Sequence, residues 1–312
     1  MNYRHLLALD WGSSTLRAAW LDEHGQAIEE RSFARGVLTV PPGKFPEVFA
    51  NCVGDWMQRP DALCLMSGMV GSQQGWQQTA YCACPAGFDD IAAKLSWIEP
   101  GRIAIVPGLC CDHAGLADSE DLATIPDVMR GEETQILGAL QRSDIQDGLL
   151  VLPGTHSKWA HVQGGKIQHF STFMTGEFYA LLRQHSILSR TLPAVDDAID
   201  WTAFDQGLAL ANRSTSLLQS AFSVRVLSLF DRLPAASRSS YLSGLVIGEE
   251  LRAQVLSSSS NVVLVGADAL TQRYERALST RGVSVKRVGA EATWLGLWAL
   301  AQRLLTEKTN QR

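Results

Sequence analysis

Three short apolar runs joined by tight polar turns open the chain. Residues 6–11 (LLALDW) are apolar up to Asp10 and predict a buried strand that ends at Gly12. Residues 15–22 (TLRAAWLD) and 26–33 (QAIEERSF) predict a second and a third strand. They are joined through Glu23-His24-Gly25, where glycine supplies the positive φ that a tight turn needs. Strand, turn, strand, turn, strand is the pattern of an antiparallel meander. The same pattern returns near residue 150. LLVLP ends at Gly154, KWAHV follows, and the turn Gln163-Gly164-Gly165 leads into KIQHFSTF. Gly12 and Gly154 stand 142 residues apart. Similarity at that spacing points to two related halves, not to a short-period repeat.

Elsewhere the period lengthens. Val48, Phe49, Cys52, Val53, Trp56 and Met57 recur at helical spacing behind Pro46, so 46–58 is predicted as a helix. LCLMS (63–67) and IAIVP (103–107) predict short buried strands, and 132–141 a helix. In the second half, 176–188, 202–212 and 240–256 predict helices. A strand at 262–266, a helix at 268–279, a strand at 283–288 and a final helix at 291–304 follow. Ser237–Ser240, Ser257–Ser260 and Asp112-His113 read as surface loops. Strands alternating with helices make this an α/β protein. The expected halves are 1–145 and 146–312, each with a mixed sheet led by a meander, packed around a cleft.

Composition narrows the function classes. At 312 residues, 46% hydrophobic and 19% charged, the chain is ordinary globular material, not disordered, collagenous or coiled-coil. A net charge of −5 leaves no electrostatic footprint for nucleic acid or an anionic membrane. No apolar run reaches the ~18 residues of a membrane span. Asp10 interrupts the first apolar run too early for a secretory signal. The six cysteines include Cys82-x-Cys84 and adjacent Cys110-Cys111, spacings that match neither a zinc site nor a disulfide framework. Reduced thiols and a cytoplasmic location are expected. Nothing in the pattern specifies an oligomeric state.

Four segments carry candidate chemistry. In Asp10-Trp11-Gly12-Ser13-Ser14-Thr15-Leu16-Arg17, a strand ends in an acid and turns through glycine and hydroxyls. Glycine lets the backbone approach a phosphate, whose oxygens N–H groups and hydroxyls can cradle. Asp10 suits Mg²⁺, a hard ion that prefers oxygen. Gly154-Thr155-His156-Ser157-Lys158 is the equivalent turn of the second half. Lys158 and Arg17 are the nearest cations, each equally able to pair with an acid across a strand. Arg130-Gly131-Glu132-Glu133 opens a helix, where acids are favoured by the dipole and where one facing a cleft could act as general base. VVLVGADAL (262–270) places Gly266 and Ala267 between a strand and a helix, a turn able to admit a nucleoside.

Together these segments resemble the actin/Hsp70/sugar-kinase superfamily. DWGSSTLR is similar to its first phosphate motif, LPGTHSKW to the second and VVLVGADAL to the adenosine motif; GAEATWLGLWALA is similar to its terminal helix. Three positions depart from the pattern. Glutamates stand where the catalytic aspartate is usual, Ala267 replaces the second glycine of the adenosine turn, and Pro153 opens the second phosphate turn. More narrowly, LDWGSSTLRAAW, SGMVGSQQGW, DVMRGEETQILGAL, LPGTHSKW, TFMTGEFYALL and SGLVIGEEL resemble, in order, the 2-dehydro-3-deoxygalactonokinase family over about residues 5–302.

The resemblance implies two actin-like, ribonuclease H-like domains. It also implies ATP-dependent phosphorylation of a small sugar acid, 2-dehydro-3-deoxy-D-galactonate, at its 6-hydroxyl, with Mg²⁺ as cofactor. Asp10 would lie by the metal, and the turns 12–15 and 154–158, with Arg17, Gly266 and Ala267, would hold the nucleotide. Glu132 or Glu133 would be the base. Register on Gly131 favours Glu132, because related kinases place their acid directly after that glycine. Ser67, Gly68, Met69, Gln73, Gln74 and Trp76 would contact the sugar, since amides suit polyol hydroxyls. Thr175-Gly176-Glu177 would open a helix facing the same cleft. An exopolyphosphatase-type phosphatase and an actin-like sugar sensor are the competing readings.

Overall fold

The computed structural model describes residue 3 and residues 5–112, 125–195 and 198–310; His113 lies outside them. By internal contacts the chain divides into two compact units. One holds Met1–Leu150, Ala160–Ser171 and Val288–Arg312; the other holds Val151–Trp159 and Thr172–Arg287.

The opening runs form β1 (His5–Trp11), β2 (Leu16–Leu21) and β3 (Ala27–Phe33), within a residue or two of the expected bounds. With β4 (Ala62–Ser67), β6 (Ser96–Glu99) and β7 (Ile103–Ile105) they make a six-stranded sheet in the order β3-β2-β1-β4-β7-β6. β1 is antiparallel to β2 and parallel to β4, and β2 is antiparallel to β3, so a meander does lead a mixed sheet. β1 is central and reads as a continuous apolar run because both of its faces are covered. Leu7, Leu9 and Trp11 face a core shared with Phe45, Phe49 and Val53 of α1 (Phe45–Val53). β3 is an edge, and Glu29, Glu30 and Arg31 keep it polar and discourage strand addition.

A three-stranded sheet, β5 (Cys82–Ala83), β8 (Leu109–Asp112) and β9 (Pro126–Met129), went unforeseen because strands of two to four residues carry no readable alternation. Its β9 delivers the chain to Arg130-Gly131 and so positions the start of α3 (Glu132–Ser143), beyond the short α2 (Phe88–Ala92).

The second meander forms β10 (Gly148–Leu152), β11 (Ser157–Gln163) and β12 (Lys166–Phe173). With β13 (Val262–Val265) and β14 (Val285–Val288) they form a sheet in the order β12-β11-β10-β13-β14. The helices that follow are α4 (Thr175–His185), α5 (Trp201–Arg213), α6 (Leu217–Ser220), α7 (Ser223–Leu229), α8 (Arg238–Arg252), α9 (Asp268–Ser279) and α10 (Ala292–Asn310). α5 packs along α8, and α10 packs on α3.

Two expectations change. The 46–58 helix stops at Val53 and resumes as a tight turn at Trp56–Gln58, after Gly54 takes the C-cap. Ser237–Ser240 is not a surface loop: Ser237, Ser239 and Ser240 are buried where α8 begins. Their hydroxyls are tolerated inside because they find partners. Ser239 Oγ accepts from Arg183 Nη1 at 2.7 Å, and Ser240 Oγ accepts from the Asp200 N–H at 3.0 Å.

Candidate active site

In the first unit the turn after β1 is tightly tied. Gly12 N–H donates to the Thr15 carbonyl at 2.9 Å. The carbonyls of Gly12, Ser13 and Ser14 accept from Val37, Leu38 and Gly36 at 3.0–3.2 Å. Gly36 was missed in the sequence, yet a Cβ there would stand 2.3 Å from the backbone of Ser13 and Ser14. With its carbonyls engaged behind it, the turn leaves Ser14 and Thr15 exposed.

Asp10 pairs with Arg17, which lies opposite it in register: Nε donates at 3.1 Å and Nη2 at 2.5 Å, both to Oδ2. On its other side, parallel pairing sets Ser67 beside Asp10. Gly68 then turns with φ +95°, and a Cβ there would lie 2.9 Å from the Trp11 carbonyl and 3.3 Å from Asp10 Oδ1. Gly131, φ +109°, packs on it: its Cβ would stand 3.3 Å from Gly68 Cα. Both positions require glycine.

These contacts bring the start of α3 against the end of β4. Ser67 Oγ lies 2.9 Å from Thr134 Oγ1 and donates to Glu133 Oε1 at 3.4 Å; Thr134 Oγ1 donates to the Gly131 carbonyl at 2.7 Å. Glu133 is fully buried and accepts the Gly131 N–H at 2.7 Å. Burial, and secondarily the charge of Glu132, push its carboxyl up to about 8. Glu132 is partly exposed and accepts the Arg130 N–H at 3.0 Å. The Arg130 guanidinium in turn donates to Thr79 and stands 4.5 Å from the Tyr81 ring. The two adjacent acids are thus in different environments: Glu133 is fully enclosed with its carboxyl pushed up, and Glu132 is partly exposed.

Of the sugar candidates, Ser67 and Gly68 join this group. Met69 begins a tight turn, and Gln73 and Gln74 are exposed just beyond it. Trp76 is half-buried at the edge of the core, 5.4 Å from Phe49 and 6.4 Å edge-on from Trp11.

In the second unit, Thr175-Gly176-Glu177 lie against the turn Gly154–His156. Glu177 N–H donates to the Thr155 carbonyl at 2.9 Å, His156 Nε2 and Glu177 Oε2 are 2.6 Å apart, and a Cβ on Gly176 would meet the Gly154 carbonyl at 2.4 Å. The three residues assigned to sugar therefore neighbour the residues assigned to phosphate. Ser157 is buried, and Lys158, also buried, donates to Thr172 Oγ1 at 2.9 Å. Gly266, φ +140°, comes close to Pro153, and Ala267 is the N-cap of α9.

A cavity of about 220 Å³ adjoins this turn. Gly154, Thr155 and Gly176 form one wall; Val246 and Ile247 of α8 and Leu270 of α9 give it an apolar side, and Arg273 and Tyr274 complete it. The Arg273 Nε is buried and has no hydrogen-bond partner among the described residues. Arg273 and Tyr274 were not singled out from the sequence. Their signal was the spacing Leu270, Arg273, Tyr274 (i, i+3, i+4) on the helix after the Gly266 turn, which puts all three on one face.

Among the described residues no cluster of three or more His, Cys, Asp and Glu side chains could cage a metal. Asp10 alone still fits Mg²⁺, which takes one or two carboxylates and fills its remaining positions with water and phosphate oxygens. Its Oδ1 lies against Gly68, where a Cβ would stand 3.3 Å from it.

A meander-led mixed sheet with a glycine-hydroxyl turn behind its first strand, followed in the chain by a second such meander, defines an actin-like phosphotransferase architecture. The 2-keto-3-deoxy-galactonokinase family model matches residues 10–300, and the chain belongs to that family. It is 36% identical over 291 residues to the 2-dehydro-3-deoxygalactonokinase of Escherichia coli (strain K12), covering 92% of this chain and 94% of the relative. The crystal structure of a Sinorhizobium meliloti protein assigned as a 2-dehydro-3-deoxygalactonokinase superposes with a TM-score of 0.84 at 33% identity, covering 97% of this chain and 99% of that one. At the level of fold alone, the Clostridium difficile activator of 2-hydroxyisocaproyl-CoA dehydratase, solved with bound ADPNP, matches at a TM-score of 0.50 and 12% identity over 98% of this chain and 97% of its own.

Proposed function

We propose that this protein transfers the γ-phosphoryl group of ATP to the 6-hydroxyl of 2-dehydro-3-deoxy-D-galactonate. The observation that carries the reading is the match of the kinase family model across residues 10–300. The residue roles are part of the same proposal. Phosphoryl transfer is mostly positioning and charge stabilisation. The hydroxyls of Ser13, Ser14, Thr15 and Thr155 present donors to phosphate oxygens, and the cavity beside Gly154 takes the nucleoside. Asp10 holds Mg²⁺, which when bound neutralises charge developing on those oxygens.

Glu132 accepts the proton of the attacking hydroxyl. It is partly exposed, and the Arg130 N–H fixes its carboxyl group. Glu133, pushed up to about 8, keeps its proton at neutral pH and holds Ser67 and Gly131 in place. Gln73, Gln74 and Ser67 supply hydrogen bonds to the sugar acid. The six free cysteines suit a reducing, cytoplasmic setting. No helix is long and apolar enough to cross a membrane among the described residues, and the acidic chain is read as binding no nucleic acid.

Phosphorus NMR of the reaction mixture tests the reading. With ATP and the sugar acid, a new primary phosphomonoester should grow as ADP appears. Inorganic phosphate as the sole product, or its release from polyphosphate, would favour the phosphatase reading instead.

A further inference from the structure

Glu250, in the last turn of α8, is a buried carboxylate, 3% exposed. No cation pairs with it among the described residues; four neutral donors converge on it instead. Oε1 accepts the Ser157 hydroxyl at 2.7 Å and the Trp159 indole N–H at 2.5 Å. Oε2 accepts the Tyr274 hydroxyl at 2.6 Å and the Thr175 hydroxyl. The two oxygens of a carboxylate offer about four acceptor sites, so its capacity is filled. A buried polar group is tolerated on this condition, and removing the acceptor would strand its donors.

The donors come from three separate segments. Ser157 and Trp159 lie on the strand leaving the turn Gly154–His156, Thr175 is the first residue of α4, and Tyr274 is on α9. The same segments line the cavity of about 220 Å³, through Gly154, Thr155, Thr175 and Tyr274. Gly176, next to Thr175, touches the turn backbone, so a shift at Thr175 is transmitted to Gly154. We propose that Glu250 is a positioning residue for nucleotide binding, holding the second phosphate turn, the start of α4 and the cavity wall of α9 in one arrangement through four hydrogen bonds. The proposal rests on reading residues 154–157 as a phosphate site.

Donor chemistry sets the test. The Trp159 N–H can only donate, so an oxygen must remain on that side. The hydroxyls of Thr175 and Tyr274 can rotate to accept from an amide NH₂. Glu250→Gln therefore preserves all four hydrogen bonds, whereas Glu250→Ala preserves none. Tyr274→Phe removes one and leaves three.

Binding of a non-hydrolysable ATP analogue by calorimetry, with steady-state KM for ATP and for the sugar acid, separates positioning from bulk stability. Glu250→Ala should weaken analogue binding and raise KM for ATP by about tenfold or more, the scale of stranded buried donors. Its KM for the sugar acid should stay within about twofold. Glu250→Gln should remain within about threefold of the parent chain, and Tyr274→Phe should fall between the two. If Glu250→Ala does not fold, the Tyr274→Phe and Glu250→Gln measurements decide alone. Unchanged analogue binding in Tyr274→Phe would overturn the proposal. So would a loss in Glu250→Gln as large as that in Glu250→Ala, or a drop in melting temperature with both KM values unchanged. Parent protein that binds the analogue but transfers no phosphate would sink the kinase reading and leave this comparison decisive.

Discussion

Arg17 holds Asp10 through two of its nitrogens, at 3.1 and 2.5 Å, across the β1–β2 register. Each residue was a separate candidate in the sequence, one for metal and one for phosphate. Paired, they constrain one another: Arg17 donates twice to Oδ2, while Oδ1 lies against Gly68, and the proposed Mg²⁺ contact would fall to Oδ1. Asp10→Asn keeps the size of the side chain and removes its charge. Turnover should fall by about a hundredfold or more, as for other lost electrostatic groups at a phosphoryl-transfer site. Steady-state kcat at saturating Mg²⁺ is the readout; a value near the parent chain's would remove Asp10 from the site.

The adjacent glutamates should separate cleanly. Neighbouring helical residues point about 100° apart, so only one faces the transferred group. Glu132→Gln should lower kcat by about 10²- to 10⁴-fold with little change in ATP affinity, the size of a general-base effect. Glu133→Gln exchanges a protonated carboxyl for a neutral amide and should lower kcat by less than about tenfold. Reversed magnitudes would make Glu133 the base, and neither mutation reaching tenfold would place the base elsewhere.

Glu133 should also leave a signature in stability. Burial, with Glu132 nearby and only partly offset by Arg130, lifts its carboxyl from 4.5 to about 8. Between those values the folded chain keeps a proton that the unfolded chain has lost. The contribution is therefore complete at low pH and declines as pH rises through about 8. Melting temperatures from about pH 5 to about pH 9 should fall more steeply in the parent than in Glu133→Gln. Parallel curves would show that Glu133 is ionised in the fold.

In the second unit, Arg273 lines the cavity with a buried Nε that no group among the described residues satisfies. A nucleoside there would give it a partner or a ring to stack on. Arg273→Ala should raise KM for ATP by about tenfold and leave KM for the sugar acid unchanged, the loss expected of one charge-assisted contact. An unchanged KM for ATP would move the nucleoside out of this cavity.

Much of the scaffold was legible because it rests on local pattern. β1, β2 and β3 follow from apolar runs broken by glycine turns, and α9 spans the 268–279 read from periodicity. The short strands β5, β8 and β9 were not legible, because two to four residues have no period to detect. The site divides in the same way. The turn at Gly12 announces itself through residue type, and Gly131-Glu132-Glu133 through a resemblance. Glu250 could not be read at all: its partners Ser157 and Thr175 are 93 and 75 positions away, and a glutamate late in an amphipathic helix looks like any solvated acid. Thr175-Gly176-Glu177 were legible as a helix start, but only tertiary packing sets them beside Gly154–His156.

Acceptor-dependent phosphoryl transfer can be read in a coupled ADP-release assay. The purified protein is given ATP and Mg²⁺ with 2-dehydro-3-deoxy-D-galactonate, with the gluconate-derived epimer, or with no acceptor. ADP release should require the acceptor, be fastest with the galactonate-derived acid, and match the sugar phosphate formed mole for mole. ADP release that is the same with and without either acid, or none under any condition, would contradict it.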